Sequence, residues 1–138
     1  MKFKPGKAWL AGLTLLLAGG AFAHHSFVAE FDSEKPIQLT GIVTKVEWTN
    51  PHVWIYMNVK DAESGEVVNW GGELGPPHGL QRRGWRRDTL QIGTQITIDG
   101  FLARNGTPRV NARTVTVAGT GAAPGQTLDA DSSSRQGN

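Results

Sequence analysis

Residues 37–59 read Ile-Gln-Leu-Thr-Gly-Ile-Val-Thr-Lys-Val-Glu-Trp-Thr-Asn-Pro-His-Val-Trp-Ile-Tyr-Met-Asn-Val. Their apolar positions recur every second residue, the period of a half-buried strand, and not every 3.6 as in a helix. Ile37 and Leu39 share one parity; beyond Gly41 the set Ile42, Val46 and Trp48 takes the other. A glycine at such a switch predicts a β-bulge bending a long first strand. Val53, Ile55, Met57 and Val59 alternate as a second strand, with Trp54 and Tyr56 on its opposite face. Asp61-Ala62-Glu63-Ser64-Gly65-Glu66 follows as a hairpin loop in which Gly65 is free to take positive φ. Val68 and Trp70 mark a third strand.

The alternation stops at Pro76. Pro77 and the residues after it suit the start of a helix, and Gly84 keeps that helix short. Ile96 and Ile98 open a fourth strand running to Gly100–Ala103, and Asn105-Gly106-Thr107-Pro108 is a strong turn. Val110 to Val117, rich in Val and Thr, makes a fifth strand. Three strands, a short helix and two strands, with the first strand long and bent, predict an all-β domain over residues 37–118. Its expected architecture is an OB-fold-like five-stranded barrel; other small β-barrels or sandwiches stay open, since five alternating strands alone do not fix strand order.

The flanks read differently. Met1 to Lys7 carries three lysines, Ala8 to Ala18 is apolar, and Ala21 and Ala23 form an A-x-A cleavage site. That is the pattern of a secretory signal peptide over residues 1–23. The apolar run is shorter than the ~18 residues of a spanning helix, so no membrane anchor is expected after processing. The expected location is the periplasm, with a mature chain beginning at His24. Residues 24–36 are expected as an extended lead-in. The tail from 119 to 138 is small or polar apart from Pro124 and Leu128, and is expected to lack order.

Composition excludes several functions. The 138-residue chain has no Cys, which removes disulfides, thiolate zinc sites, iron–sulfur clusters and Cys nucleophiles. The net charge of +2 depends on the three lysines of the signal segment; without them eleven basic residues face twelve acidic ones. Bulk charge therefore gives no support to a nucleic-acid partner. Nothing resembles a nucleophile motif, a P-loop or a dinucleotide fingerprint, and no enzymatic activity is expected.

Several phrases occur together: His24-His25-Ser26-Phe27, Glu30-Phe31-Asp32, Gly41-Ile42-Val43, Val46-Glu47-Trp48-Thr49-Asn50-Pro51-His52, Trp70-Gly71-Gly72-Glu73-Leu74 and Arg83-Gly84-Trp85. Together they resemble a family of small exported bacterial proteins known only as a domain of unknown function. The resemblance covers nearly all of the chain from His24 to about Val117. It implies a periplasmic β-barrel-like domain behind a signal peptide, and no particular activity.

Two groups of residues carry binding chemistry. A free α-amine and the imidazole of the same His24 form a bidentate nitrogen chelate, and a second imidazole would complete a three-nitrogen site of the kind Cu(II) favours. His52 and His78 are the candidates for that imidazole. His25 is a weaker one, since neighbours on an extended chain point apart. Cleavage after Ala21 would instead leave Phe22-Ala23-His24, a planar amine–amide–imidazole site. The plainer reading of His24 and His25 is that both stay solvated. The second group is Trp54 and Tyr56, an outward stripe with His52, together with Arg82, Arg83, Arg86 and Arg87. These could serve a ligand or a protein partner; equally, the stripe could be packed by the lead-in and the arginines be a solvated helix face. The functional expectation is a periplasmic binding module taking copper through its N-terminal His. The alternative is a metal-free protein-interaction module using the barrel face and the Arg-rich helix.

Overall fold

The computed structural model describes residues 27–119 and 125–132 of the chain, and residues 1–23, expected as a signal peptide, lie outside them. Six strands form: β1 (Phe31–Glu47), β2 (Trp54–Lys60), β3 (Val67–Glu73), β4 (Gln95–Ala103), β5 (Arg109–Val117) and β6 (Gln126–Asp129). A short helix, Pro77–Arg82, lies between β3 and β4. Neighbours run in the order β3-β2-β1-β4-β5-β6, and a further pairing joins β3 to β5. That last pairing is parallel, Gly71 to Glu73 against Arg109 to Asn111. It closes five strands into a barrel-like ring of OB-type order, as the sequence predicts.

The long first strand serves two neighbours. Its Ile37–Ile42 stretch pairs with β4 and its Ile42–Glu47 stretch with β2. The bend is not where the sequence places it. The register shifts between Val43 and Lys45, so the bulge falls at Thr44, and Gly41 continues the inward parity of Leu39 and Val43. Gly41 is required for another reason: a Cβ there would lie 2.6 Å from the Asn58 carbonyl oxygen. With the parity unbroken at 41, Ile42 points outward and is exposed.

Inside the ring, Leu39, Val43, Val53, Ile55, Met57, Ile96, Ile98, Val110 and Val115 form one core. Each contributes about 1.5–3 kcal/mol of hydrophobic stabilisation relative to an exposed position. Leu74, Leu80, Trp85 and Leu90, from the connection between β3 and β4, belong to the same cluster. The loop Asp61–Glu66 closes the β2–β3 hairpin through the Asp61 N–H to the Glu66 carbonyl, with Gly65 at φ +73°.

Both flanks depart from expectation. Of the lead-in, residues 31–36 are extended as the start of β1, whereas residues 27–30 are helical and not extended. Phe27 packs on Phe31 and Phe101, with ring centroids 6.0 Å apart in each pair. The Arg104 Nε donates to the Val28 carbonyl and its backbone N–H to the Glu30 carbonyl. The second correction concerns the tail, whose residues 126–129 form β6 against β5, Val117 opposite Gln126 through Thr114 opposite Asp129. Ala130 then donates to the Arg113 carbonyl and accepts from the Gly75 N–H. The segment therefore bridges β5 and the chain beyond β3, where those two strands no longer pair. Composition misses this because the segment buries only Leu128 and Ala130, and its order comes from backbone pairing.

Candidate functional site

Residues facing each other across neighbouring strands project from the same side of a sheet. On the outer side of the ring this rule assembles two adjacent rows. One runs Glu47, Trp54, Glu73, Asn111, Phe101 across β1, β2, β3, β5 and β4; the other runs Lys45, Tyr56, Gly71, Arg109. Trp54 and Tyr56 thus lie on the outward face the alternation predicts, and both are half-buried.

The second row is held by its own contacts. Tyr56 Oη donates to Glu47 Oε2, and Lys45 Nζ donates to Glu47 Oε1. These bonds hold the Glu47 carboxyl below the ordinary carboxylate range, the Lys45 ammonium first and the Tyr56 hydroxyl second. The Tyr56 hydroxyl is pushed up, first by burial and then by its bond to Glu47. Arg109 stands over the Trp54 ring at 5.4 Å and Lys45 over the Tyr56 ring at 5.4 Å, both within cation–π range.

The first row contains a buried polar pair with no local signal in the sequence. Glu73 and Asn111 are 9% and 2% exposed although both point away from the core. Asn111 Nδ2 donates to Glu73 Oε1 over 3.4 Å and to Ser132 Oγ over 2.9 Å. Burial raises the Glu73 carboxyl above its usual range, and the nearby Glu30 adds to the rise; His52, Asn111 and Arg109 oppose it. Glu73 follows Gly71-Gly72 at a strand end, and alternation alone assigns it to solvent. What buries it comes from chain segments far away in sequence.

His52 precedes β2, after the cis Asn50–Pro51 peptide. Its Nδ1 lies 2.9 Å from the Leu74 carbonyl oxygen and 3.7 Å from Glu73 Oε1. A carbonyl oxygen only accepts, so Nδ1 carries the proton and, in the neutral ring, Nε2 keeps the lone pair. A bond from the far ring nitrogen to a carbonyl is how metal-binding imidazoles are commonly oriented. His78 is exposed on the short helix, away from any such bond among the described residues. His24 and His25, and the alternative start at Phe22, lie outside the described residues. Among the described residues no three His, Cys, Asp or Glu side chains converge as a metal site.

The four arginines separate. The helix ends at Arg82, so Arg86 and Arg87 do not continue its face, and Gly84 turns the chain at φ +93°. Arg82, Arg86 and Arg87 are exposed. Arg83 is a structural residue, a correction to its place in a partner-binding face. It donates to Asp129 Oδ1 at 2.9 Å, the Asp131 carbonyl at 2.9 Å and the Gly79 carbonyl at 3.2 Å, tying the helix to β6. Trp85 Nε1 adds a 2.7 Å bond to the Asp129 carbonyl.

The fold and this surface define a small OB-type β domain with an aromatic and charged outer face. The chain belongs to a family of unknown function, DUF6152, whose model matches residues 13–112. No curated protein matches the chain.

Proposed function

We propose that the protein is an exported, periplasmic binding module that holds Cu(II) through a mature N-terminus at His24, with His52 as the further nitrogen ligand. The observation that carries this reading is the orientation of His52. Its Nδ1–H is committed to the Leu74 carbonyl, which leaves Nε2 available to a metal. Chain length supports the rest. Phe27 is seated on Phe101, and Phe101, Asn111 and Glu73 lie side by side on adjoining strands. Two strand spacings amount to roughly 10 Å, and the three residues from His24 to Ser26 span about 10 Å when extended. A segment of that length supports a reach from Phe27 toward Glu73, whose Oε1 is 3.7 Å from His52 Nδ1.

The test compares Cu(II) affinity of the exported protein with that of a cytoplasmic form carrying Met before His24. The Met form keeps every imidazole and moves the amine out of its chelate ring, so binding weakens by about 100-fold or more. On the native terminus, His52→Ala weakens binding while His78→Ala does not. Affinity falls as pH drops, because amine and imidazole must lose protons to bind. Equal affinity of the exported and Met-extended proteins sinks the terminal site. In that event a second reading stands, a metal-free protein-interaction module, favoured by the exposed Arg82, Arg86 and Arg87 and by Ile92, which is 76% exposed.

A further inference from the structure

The connection from β4 to β5 reads Arg104-Asn105-Gly106-Thr107-Pro108, and every residue in it is exposed. Within it Asn105 Oδ1 accepts from the Thr107 N–H at 3.1 Å and from the Thr107 Oγ–H at 2.7 Å. The ring closed by the first of these bonds contains both the side-chain amide carbon of Asn105 and the backbone nitrogen of Gly106. We propose that Asn105 is a site of spontaneous covalent modification: its amide is converted by water to a carboxylate through a cyclic imide, and the isoaspartyl product loosens the β3–β5 seam. The inference does not depend on the copper reading, and no metal enters the reaction.

The Gly106 nitrogen loses its proton and attacks the Asn105 side-chain carbonyl. A bond forms between that nitrogen and Cγ, the Cγ–Nδ2 bond breaks, and Nδ2 leaves with a proton as ammonia. Water then opens the imide at one of its two carbonyls. Opening at Cγ leaves aspartate, and opening at the main-chain carbonyl leaves isoaspartate, with the backbone routed through Cγ. Three features favour the attack. Gly106 has no Cβ to crowd it, and a Cβ placed there would meet nothing within 4 Å. The Gly106 N–H is held by a long 3.3 Å bond to the Ala103 carbonyl, just beyond the usual range. The two donors on Oδ1 stabilise the negative charge that this oxygen gains as its carbon is attacked.

The other described asparagines lack this combination. Asn50 precedes Pro51, whose nitrogen carries no proton. Asn58, Asn69 and Asn111 lie within strands, precede Val59, Trp70 and Ala112, and are engaged with neighbouring side chains. Asp99-Gly100, which could form the same imide, lies inside β4 with Gly100 pressed on the Asn111 backbone.

The two products differ in effect. Aspartate keeps an acceptor for Thr107, whereas isoaspartate adds a methylene to the main chain of a short connection. The Pro108 carbonyl at the end of that connection accepts from the Gly71 N–H at 3.0 Å. Gly71 opposite Arg109 begins the parallel pairing that runs to Glu73 and Asn111, so the lengthened turn acts directly on the seam.

The experiment incubates the folded protein in neutral and in mildly acidic buffer, beside the same chain unfolded in urea. Products are separated by charge, isoaspartate is measured by enzymatic carboxyl methylation, and fragmentation mass spectrometry locates the change. Residue 105 converts in the folded protein while Asn58, Asn69 and Asn111 stay intact. Conversion slows about tenfold for each unit of pH lost, as a step needing a deprotonated nitrogen does. Thr107→Val, which removes the hydroxyl donor, slows it severalfold, and Asn105→Gln abolishes it. In the purified isoaspartyl form the Gly71 amide exchanges about tenfold faster or more, whereas freshly prepared Asn105→Asp leaves it unchanged. Three results would each overturn the proposal: an intact Asn105 in the folded protein when the unfolded chain converts, earlier conversion at another described asparagine, or unaltered Gly71 exchange in the isoaspartyl form.

Discussion

At the scale of single residues, two positions show how surroundings change the meaning of a side chain. Gly41 and Gly65 are both glycines in strand-and-turn contexts, but only Gly65 has positive φ, at +73°. Alanine at 65 costs about 1–2 kcal/mol from the left-handed backbone alone. Valine at 41 places its Cβ against the Asn58 carbonyl and the Val59 Cγ2, and backbone cannot move aside as a flexible side chain can. Gly41→Val is expected to cost about 3 kcal/mol or more, and denaturant midpoints for the two variants give the ranking. Glu73 is the second case. Its carboxyl is raised in the fold, mainly by burial. Stability from this group is therefore complete below the unfolded value and is lost as pH rises through the folded one. Glu73→Gln keeps the acceptor for Asn111 and removes the buried charge, so the metal-free variant is expected to be more stable than the native protein at neutral pH. The two should converge at acid pH, as thermal melts across pH 4–8 (about the range in which carboxyls titrate) will show.

At the scale of elements, β6 and the short helix act as one unit. The helix has six residues, too few to persist alone, and buries Leu80. Its C-terminal turn is held by Arg83 and Trp85 reaching Asp129 and Asp131. In return β6 gains side-chain donors that its own four residues could not supply. Leu128→Ala is expected to cost about 2–3 kcal/mol, the usual loss for truncating a buried leucine. Arg83→Ala should cost about 1–3 kcal/mol by stripping donors from several oxygens at once, while Arg82→Ala stays within about 0.5 kcal/mol. Chemical denaturation of the three variants tests the coupling. An Arg83→Ala effect no larger than that of Arg82→Ala would separate the helix from β6.

At the scale of the whole molecule, the ring is closed unevenly. β1 and β4 pair from Ile37 to Ile42 on one side and Gly100 to Gln95 on the other, with Phe31 opposite Ala103 beyond. The parallel β3–β5 contact spans Gly71–Glu73 and Arg109–Asn111 alone. Local opening starts where few buried contacts and few backbone bonds resist it. The amide of Gly71, bonded to the Pro108 carbonyl, is therefore expected to exchange with solvent faster than those of Leu39 and Ile98 in the β1–β4 ladder. Removing residues 120–138 should speed exchange at Gly75, whose N–H bonds to the Ala130 carbonyl. Hydrogen exchange resolved by residue measures both effects. Uniform protection across the ring would show that the seam opens only with global unfolding.

Alternation is a property of neighbouring residues along one chain, so it was enough to define the strand set from Ile37 to Val117, the hairpin at Gly65, the short helix after Pro76, and the outward face of Trp54 and Tyr56. That order of elements suits a ring but does not fix strand order; the parallel β3–β5 pairing that closes it is a tertiary contact. Only the tertiary structure decided the bulge at Thr44, because Gly41, Leu39 and Val43 share one inward parity that the outward Ile42 obscures. Only the tertiary structure decided β6, whose partners Arg83 and Trp85 lie more than forty positions away and whose order rests on backbone bonds that composition does not record. The buried pair Glu73 and Asn111 and the orientation of His52 belong to the same class. Each depends on a carbonyl, an amide or a covering segment brought in from another strand, and no spacing within residues 47–74 specifies which groups those will be.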